Sequence, residues 1–401
     1  MGHVVVVGAG QAGSSCVAKL RNSGFEGQIT LIGQEPVLPY QRPPLSKAYL
    51  LGDMALGRMF LRPETFYSEN NIELRMSTRV DAINASEQTI LIGDETLHYD
   101  DLVLTTGATP NRLPGSIGGA LEGVFVVRNL ADVDAMAARF VDGAKVLIVG
   151  GGYIGLEAAS VASKLGLQVM LVEMAERILQ RVAAPETSDY FRELHSSHGV
   201  DLREGIGLDR LLGEDAVEGA RLTDGTELDV DFVIVGVGIA PASGLATAAD
   251  LVIENGIKVD AYGCTSDPHI WAAGDCASFP YRDTHIRLES VPNAIDQAEV
   301  VAENIMGAAK DYVAKPWFWS DQYDVKLQIA GLNTGYDRVV TRRTGDAVSF
   351  WYYSGAILLA VDAANDPRGY MIGKRLIEAG ISPSPEVIAD PETDMKALLK
   401  A

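Results

Sequence analysis

The chain reads Val4-Val-Val-Val-Gly-Ala-Gly-Gln-Ala-Gly13 near its start and Val146-Leu-Ile-Val-Gly-Gly-Gly-Tyr-Ile-Gly155 in its middle. Each stretch is an apolar run that ends in the pattern G-x-G-x-x-G, and a segment of helical character follows it, over 14–22 and 156–164. A second apolar run comes next, over 29–32 and 168–172, and an acid follows each run, Glu35 and Glu173. This order predicts a βαβ unit that occurs twice, as in dinucleotide-binding domains.

The first glycine motif predicts a dinucleotide site. Gly8 allows a tight turn, Gly10 lets the backbone approach a pyrophosphate, and Gly13 lets helix and strand pack closely. The pyrophosphate would then lie on the free N–H groups at the positive end of the helix. Glu35 is expected to bind the ribose hydroxyls, and Gln34 beside it is an alternative or additional partner.

Two further stretches indicate that this nucleotide is FAD. The run Ile270-Trp-Ala-Ala-Gly-Asp275 closes on Gly-Asp, and in flavoproteins with two Rossmann domains this aspartate bonds a ribityl hydroxyl of FAD. The stretch Thr105-Thr-Gly-Ala-Thr-Pro110 indicates the point where the chain switches domains. We therefore predict a discontinuous FAD domain over 1–110 and 239–316, with an NADH domain over 111–238 between its two parts.

The second glycine motif predicts NADH binding. Gly150, Gly152 and Gly155 repeat the logic of the first motif, and Glu173 supplies a carboxylate for the adenosine ribose diol. A carboxylate at that position would repel the 2′-phosphate of NADPH. We also expect Ile154, inside the motif, and Gly238, after the last strand of the domain, to contact cofactor.

The tail from Trp317 is richer in aromatic residues and alternates as strands do over 348–353 and 356–361, so it predicts a separate α+β domain over 317–401. The predicted fold class is α/β. It consists of two Rossmann-type dinucleotide-binding domains, arranged as in glutathione reductase, and this C-terminal α+β domain.

Composition excludes several classes of function. The formal net charge of −21 argues against nucleic acid and anionic lipid as partners. No apolar run of about 18 residues is present and no signal peptide precedes the first strand, so we expect a cytoplasmic protein. The three cysteines form no C-x-x-C pair, and Cys16 is predicted to lie in the core. We expect no metal site, and we interpret His195 and His198 as surface residues.

The chain resembles the ferredoxin reductases of bacterial oxygenase systems, of the putidaredoxin reductase and biphenyl-dioxygenase types. The resemblance extends over essentially the whole sequence. The strings that carry it are Arg42-Pro-Pro-Leu-Ser-Lys47, Gly150-Gly-Gly-Tyr-Ile-Gly-Leu-Glu157, Glu289-Ser-Val-Pro-Asn293 and Trp317-Phe-Trp-Ser-Asp-Gln322. The last string distinguishes this family from glutathione reductases, whose C-terminal domain is a dimerisation unit.

The resemblance implies roles for individual residues. Lys47 would lie near the flavin N5 and pair with Glu157, Tyr153 would cover the flavin until nicotinamide displaces it, and Trp319 would wall the ring system. Further FAD contacts would come from Ala12, Arg42, Val80, Arg128 and Val291.

The resemblance also implies the reaction. The protein would be a ferredoxin–NAD(+) reductase that passes electrons from NADH through FAD to a two-iron two-sulfur ferredoxin feeding a haem monooxygenase, and it is expected to be a monomer. Alternatives are the reductase of an aromatic-ring dioxygenase, a rubredoxin reductase, or a non-enzymatic NADH-sensing flavoprotein. Because ferredoxins of this kind are usually acidic, docking needs a basic patch, for which the candidates are Arg58, Arg62, Arg338, Arg342, Arg343, Lys374 and Arg375.

Overall fold

A computed structural model describes residues 2–400 and divides into two compact units. The first unit contains residues 2–41, 56–109 and 239–316, and the second contains residues 42–55, 110–238 and 317–400. The first therefore includes most of the predicted FAD domain, and the second joins the predicted NADH domain with the C-terminal region. The boundaries of the three predicted domains stay a prediction.

The α-helices, in chain order, are α1 (Gln11–Asn22), α2 (Glu64–Glu69), α3 (Leu130–Ala137), α4 (Tyr153–Lys164), α5 (Pro185–Ser197), α6 (Gly244–Ala248), α7 (Val291–Ile305), α8 (Pro367–Ala379) and α9 (Pro385–Ala389).

The strands are β1 (His3–Val7), β2 (Gln28–Ile32), β3 (Ile72–Arg75), β4 (Ala82–Asn84), β5 (Thr89–Ile92), β6 (Glu95–His98), β7 (Asp101–Leu104), β8 (Ala108–Pro110), β9 (Val124–Phe125), β10 (Lys145–Val149), β11 (Gln168–Glu173), β12 (Asp201–Glu204), β13 (Leu208–Leu212), β14 (Gly219–Leu222), β15 (Glu227–Asp229), β16 (Phe232–Val235), β17 (Ile239–Pro241), β18 (Ile257–Lys258), β19 (Ile270–Ala272), β20 (Ala277–Tyr281), β21 (Thr284–Ile286), β22 (Trp317–Gln322), β23 (Val325–Gly331), β24 (Arg338–Thr344), β25 (Ala347–Ser354) and β26 (Ile357–Ala364).

The first unit is built on a parallel sheet of strand order β19-β7-β1-β2-β3. Val4 and Val6 belong to the core that contains α1 and α7, whereas Val5 and Val7 belong to the core on the other face. Burial of both faces explains why β1 is a continuous apolar run instead of an alternating one. Because the strands are parallel, the carboxyl ends of β1 and β19 lie at the same edge of the sheet.

The second unit contains a parallel sheet of order β12-β11-β10-β16-β9 and an antiparallel sheet of order β22-β23-β26-β25-β24. The antiparallel sheet packs its aromatic residues, among them Trp351 and Tyr353, against Leu376 of α8. The α+β character predicted for the tail is therefore present. α8 begins at Pro367, because Asp366 accepts the backbone N–H of Gly369 and caps the helix. The described chain ends in a short 3-10 helix over Ala397–Lys400.

The interpretation of His195 as a surface residue is wrong. His195 lies on the inner face of α5 and has 0% exposure, although His198 in the next turn is exposed. Cys16 is buried in the core as predicted. Among residues 2–400, no helix has the length and apolar character needed to cross a membrane.

Candidate functional site

The first glycine turn is closed by backbone contacts that only glycine permits. Gly8 has φ +118°, and a methyl group there would lie 2.2 Å from the carbonyl oxygen of Thr105. A methyl group on Gly13 would lie 2.0 Å from the carbonyl oxygen of Gly8. The hydroxyl of Thr105 donates to that same carbonyl at 2.8 Å, so the loop after β7 closes the turn after β1.

Gly10 serves a different purpose from Gly8 and Gly13. A methyl group at Gly10 would meet nothing within 4 Å, and Gly10 directly precedes α1. The first N–H groups of a helix have no partner inside the helix. The turn thus leaves open space at the positive end of α1, where a pyrophosphate would fit.

Glu35 and Gln34 follow β2 at positions that differ from that of the acid in the second motif. The strand registers pair Val7 with Ile32 and Val149 with Val172, so Gly33 corresponds to Glu173, and Glu35 lies further along the chain. The Glu35 carboxylate accepts the hydroxyl of Tyr40 at 2.6 Å, while the Gln34 side chain is exposed. Both remain candidates for the ribose contact.

The Gly274-Asp275 turn lies against the first helix. Gly274 has φ +80°, and a methyl group there would approach the Cβ of Ala12 to 3.0 Å. The backbone N–H of Gly274 donates to Oε1 of the buried Gln297 at 2.9 Å. The nitrogen Nε2 of Gln297 is itself buried without a hydrogen-bond partner among residues 2–400. The aspartate motif and the glycine motif therefore meet at one edge of the sheet.

The other FAD contacts implied by the resemblance occupy both units. In the first unit, the Val80 side chain is buried in the core, which leaves its backbone for a ligand, and Val291 is the first residue of α7. In the second unit, the Arg42 guanidinium donates to the carbonyl oxygen of Arg128 at 2.6 Å. The assignment of these residues to FAD stays a prediction.

The second glycine turn repeats the first. A methyl group on Gly150, whose φ is +108°, would lie 2.4 Å from the carbonyl oxygen of Gly236, and one on Gly155 would lie 2.1 Å from that of Gly150. A methyl group on Gly152, which directly precedes α4, would meet nothing within 4 Å. Ile154 and Gly238 are also expected to contact cofactor. Ile154 is exposed, and Gly238 has φ +96°.

The Glu173 carboxylate is fixed at the end of β11 by two backbone groups. The N–H of Gly151 donates to Oε2 at 2.7 Å, and the N–H of Ala175 donates to Oε1 at 2.8 Å. These bonds place an oriented carboxylate directly beside the open glycine turn. That is the position from which an acid binds a ribose diol.

Lys47 and Glu157 form the ion pair that the resemblance implies. The distance from Lys47 Nζ to Glu157 Oε1 is 3.0 Å, and the Lys47 amine also lies 3.7 Å from Asp321. Glu157, on α4, is only 3% exposed and accepts the hydroxyls of Ser46 at 2.6 Å and Ser320 at 2.7 Å. Burial raises the pKa of Glu157, and Lys47 together with the two serines opposes that rise.

Tyr153 and Trp319 belong to a group of aromatic residues on α4 and β22 of the second unit. The Tyr153 ring lies 5.0 Å from that of Phe318, and Trp319 lies 5.6 Å from Trp317. The Tyr153 hydroxyl is buried without a hydrogen-bond partner among residues 2–400, and burial raises its pKa well above the usual value. The catalytic roles of Tyr153 and Trp319 stay predictions.

The three thiols are unsuited to redox exchange. Burial raises the pKa of Cys16 to about 12 and also raises that of Cys276, while burial and nearby aspartates raise that of Cys264 to about 11. All three are free cysteines. Since the thiolate is the nucleophile in disulfide exchange, raised pKa values disfavour exchange at these thiols.

The basic patch predicted from the sequence is wrong at Arg342. This side chain is 7% exposed, and its guanidinium donates to the carbonyl oxygens of Ile388, Asp390, Pro391 and Thr393. Arg338 and Lys374 form ion pairs with Glu386 and Glu378. Arg62 donates to Ser14. The exposed candidates that remain are Arg58, Arg343 and Arg375.

Several residues of the sites were not predicted. Gln297 holds the Gly274 turn, Tyr40 binds Glu35, and Ser46 and Ser320 bind Glu157. Both serines lie inside strings that carry the family resemblance, but their partner is 111 and 163 residues away in the chain. Within residues 2–400, no cluster of three or more His, Cys, Asp or Glu side chains is placed to hold a metal ion.

The residues of the first unit fit FAD. The open turn at Gly10, the glycines at Gly8 and Gly13 that bring backbone segments together, and the amide nitrogen of Gln297, which has no partner among residues 2–400, form a cradle for a dinucleotide. The turn at Gly152 and the carboxylate of Glu173 fit a second nucleotide in the same way.

Comparison with known proteins identifies the family of the chain. A family model described as "Pyridine nucleotide-disulphide oxidoreductase" matches residues 2–298, and one described as "Reductase C-terminal" matches residues 317–399. The chain is 43% identical to a ferredoxin–NAD(P)(+) reductase of Sphingomonas sp., over 98% of this chain and 96% of that protein. It is 39% identical to putidaredoxin reductase of Pseudomonas putida, over 100% of this chain and 97% of that protein.

A solved structure resembles the chain over its full length. The reductase in a covalent putidaredoxin reductase–putidaredoxin complex has a TM-score of 0.96 and 38% identity, and the match covers 100% of this chain and 98% of that chain. The predicted fold class and the predicted family resemblance are confirmed, and FAD and a nicotinamide nucleotide are the cofactors of this family. The chain thus belongs to the pyridine nucleotide-disulphide oxidoreductase family and ends in a reductase C-terminal domain.

Proposed function

We propose that the protein is a ferredoxin–NAD(+) reductase. It oxidises NADH and passes the electrons through FAD to a two-iron two-sulfur ferredoxin that feeds a haem monooxygenase. Similarity to a ferredoxin reductase and to putidaredoxin reductase over nearly the whole chain supports this function.

One observation carries the proposal beyond family membership. Both dinucleotide turns are intact, at Gly10 and Gly152, in a chain whose thiols all have raised pKa values. Many enzymes with this pair of domains pass electrons to a cysteine pair of their own. This chain offers no such pair, so the electrons must leave to an external acceptor.

The chain's own residues bind and orient the two cofactors. Bound FAD supplies the conversion of a two-electron hydride into single electrons. The turns at Gly10 and Gly152 would hold pyrophosphates at the positive ends of α1 and α4, and Glu173 would bind the nicotinamide nucleotide by its ribose. The buried Glu157 carboxylate fixes the Lys47 ammonium, which then has a defined position for the flavin.

The alternatives differ in the electron acceptor. The reductase of an aromatic-ring dioxygenase would also reduce a two-iron two-sulfur ferredoxin, whereas a rubredoxin reductase would prefer a one-iron carrier. A non-enzymatic NADH-sensing flavoprotein would reduce every small iron–sulfur carrier slowly.

The test is a reduction assay with purified holoprotein and NADH. Cytochrome c reports the electron flow, and the carrier is varied among two-iron two-sulfur ferredoxins from haem monooxygenase and dioxygenase systems and a rubredoxin. We expect the highest kcat/KM with a ferredoxin of a haem monooxygenase system. Higher kcat/KM with the dioxygenase ferredoxin or the rubredoxin would assign the protein to that alternative, and slow turnover with all three would contradict the reductase function.

We further propose that the protein acts as a cytoplasmic monomer. The net charge of −21 disfavours association with anionic membranes and favours solubility. Light scattering coupled to gel filtration would give the mass of the holoprotein, and a dimer mass would contradict the monomer.

A further inference from the structure

A chain of buried side-chain hydrogen bonds connects Glu157 with His195. The Ser320 hydroxyl bonds Glu157 Oε1 at 2.7 Å, Gln322 Nε2 lies 3.1 Å from Ser320 Oγ, and His195 Nε2 lies 2.8 Å from Gln322 Oε1. Ser320, Gln322 and His195 all have 0% exposure. We propose that His195 and Gln322 are positioning residues that act through Ser320 to fix the Glu157 carboxylate against Lys47.

The direction of every bond follows from counting protons. Ser320 has one hydroxyl proton and gives it to the Glu157 carboxylate, so it can only accept from Gln322. The amide of Gln322 must therefore turn its nitrogen toward Ser320 and its oxygen toward His195. The oxygen needs a donor, which makes His195 the neutral tautomer with its proton on Nε2.

The far end of the chain of hydrogen bonds agrees with this tautomer. The unprotonated Nδ1 of His195 lies 3.3 Å from the hydroxyl of Tyr323, which can donate to it. Burial lowers the pKa of His195 to about 4, so the ring is neutral at physiological pH. All four donors, from Tyr323 through His195, Gln322 and Ser320, thus point toward Glu157.

The backbone around Tyr323 is arranged to hold this end in place. Tyr323 follows β22 with φ +56°, a conformation that is unfavourable for a residue with a side chain. Its ring stacks on His198 with centroids 3.7 Å apart, and its backbone N–H donates to Ser160 at 2.7 Å. A non-glycine residue keeps a positive φ only where its surroundings fix it, which supports a positioning role for the hairpin of β22 and β23.

The orientation of the Gln322 amide is the step that His195 controls. Without a donor at His195, the amide can rotate by half a turn and present its oxygen to Ser320. Ser320 would then give its proton to Gln322, and Glu157 would lose one of its three hydrogen-bond donors. Loss of a donor to the ionised form raises the pKa of a carboxyl group. The charged groups that face Glu157 in either case are Lys47 and, beyond it, Asp321.

The experiment compares His195→Leu with His195→Gln in the FAD-loaded protein. The leucine removes the donor, whereas the amide N–H of glutamine can replace the N–H of the imidazole. Glutamate labelled with ¹³C at the side-chain carboxyl reports the titration of Glu157 by NMR, and the resonance that disappears in Glu157→Gln identifies it. We expect the leucine variant to raise the titration midpoint by roughly half to one pH unit, and the glutamine variant to retain the wild-type midpoint.

Two further variants make the result specific. Gln322→Glu replaces the donor to Ser320 with a carboxylate, so it must also raise the Glu157 midpoint. Thr187→Val removes a buried hydrogen bond to Asp362 in the same unit and must leave that midpoint unchanged. Equal midpoints in the leucine and glutamine variants, or a shift in Thr187→Val as large as that in His195→Leu, would overturn the proposal.

Any effect of these variants on ferredoxin reduction rests on the proposed function, whereas the titration of Glu157 does not. If Glu157 titrates as expected and no ferredoxin is reduced, the positioning role stands and the proposed function fails. If ferredoxin is reduced at the wild-type rate and Glu157 titrates identically in all variants, the positioning role fails alone.

Discussion

Gly10 and Gly13 lie three residues apart in the same motif, and they differ in what a side chain would meet. A methyl group on Gly13 would collide with the backbone of Gly8, whereas one on Gly10 would enter open space at the start of α1. Gly10 has φ −92°, which alanine adopts without strain. Gly13 is therefore required for the fold itself, whereas Gly10 is required for the close approach of the FAD pyrophosphate.

This difference predicts the behaviour of Gly10→Ala. The apoprotein should unfold at the wild-type temperature, while affinity for FAD falls about tenfold or more, a loss of roughly 1.4 kcal/mol, because the methyl group blocks the pyrophosphate. Fluorescence titration of apoprotein with FAD measures this affinity. The matched variant Gly152→Ala should retain FAD and lose affinity for NADH, and wild-type FAD affinity in Gly10→Ala would contradict the assignment.

Glu173 is predicted to set the choice between NADH and NADPH. Its carboxylate is oriented by Gly151 and Ala175 and would accept ribose hydroxyls but repel a phosphate. Charge-assisted hydrogen bonds contribute about 1.5–3 kcal/mol, a preference of roughly tenfold to a hundredfold. Steady-state kcat/KM values should favour NADH, and Glu173→Gln should narrow the ratio. The exposed neighbour Glu176 is the control, since Glu176→Gln changes the same charge and should leave the ratio intact.

At the scale of elements, β24 contains two adjacent arginines with opposite surroundings. Arg342 is buried and binds carbonyl oxygens in the last turn of α9 and in the segment that follows it, whereas Arg343 is exposed. Removing Arg342 takes a donor away from the buried carbonyl group of Ile388, at a cost of about 1–3 kcal/mol, and from three part-buried carbonyl groups that water can reach more easily.

We expect Arg342→Ala to lower the thermal unfolding temperature. Because the fold is affected, turnover with ferricyanide and turnover with ferredoxin should fall together. Arg343→Glu should leave stability and ferricyanide turnover at wild-type values and raise only the KM for ferredoxin. Differential scanning calorimetry and the two assays test this pair. A stable Arg342→Ala variant would show that its carbonyl contacts contribute nothing to the fold.

Asp362 in β26 gives the antiparallel sheet a pH dependence. It is buried and accepts the hydroxyls of Tyr352 and, at 2.8 Å, Thr187. Burial raises its pKa from 3.8 to about 6. An acid whose pKa is raised by folding binds its proton more tightly in the folded state, so its ionisation destabilises the fold progressively from about pH 4 to pH 6.

Asp362→Asn is therefore expected to stabilise the protein at pH 7.5, where wild-type Asp362 is ionised. The expected gain is about 1–3 kcal/mol, since a tenfold change in an acid dissociation constant corresponds to about 1.4 kcal/mol. The gain should shrink as the pH falls below 6. Urea unfolding at pH 7.5 and pH 5 measures both. The exposed Asp346 provides the control, and a gain that is equal at both pH values would contradict the raised pKa.

The sequence predicted those features that local patterns determine. The glycine turns, the acid Glu173 and the α1 and α4 helices follow from short motifs, and the Lys47–Glu157 pair follows from the family resemblance. The burial of His195 could not be predicted, because its partner Gln322 is 127 residues away. Arg342 shares the inward face of β24 with Val340, but an arginine on a strand is expected to be exposed unless the carbonyl groups that bind it are known.

At the scale of the whole molecule, the charge restricts the partner. The chain has a net charge of −21, so we expect an acidic ferredoxin to be repelled on average and to bind near exposed basic residues, for which Arg343 and Arg375 are candidates. Local attraction of this kind weakens with salt, which screens charges over about 10 Å at 0.1 M.

The most direct test of ferredoxin reduction by NADH observes both halves of the reaction on one anaerobic sample. The purified protein should be yellow because it contains FAD, and the flavin absorption should decrease when NADH is mixed in. Oxidised two-iron two-sulfur ferredoxin, added next, should restore the yellow colour at a rate that supports turnover, while an oxidised disulfide substrate should not. Bleaching by NADH without recovery on adding ferredoxin, or recovery with the disulfide, would contradict the central claim.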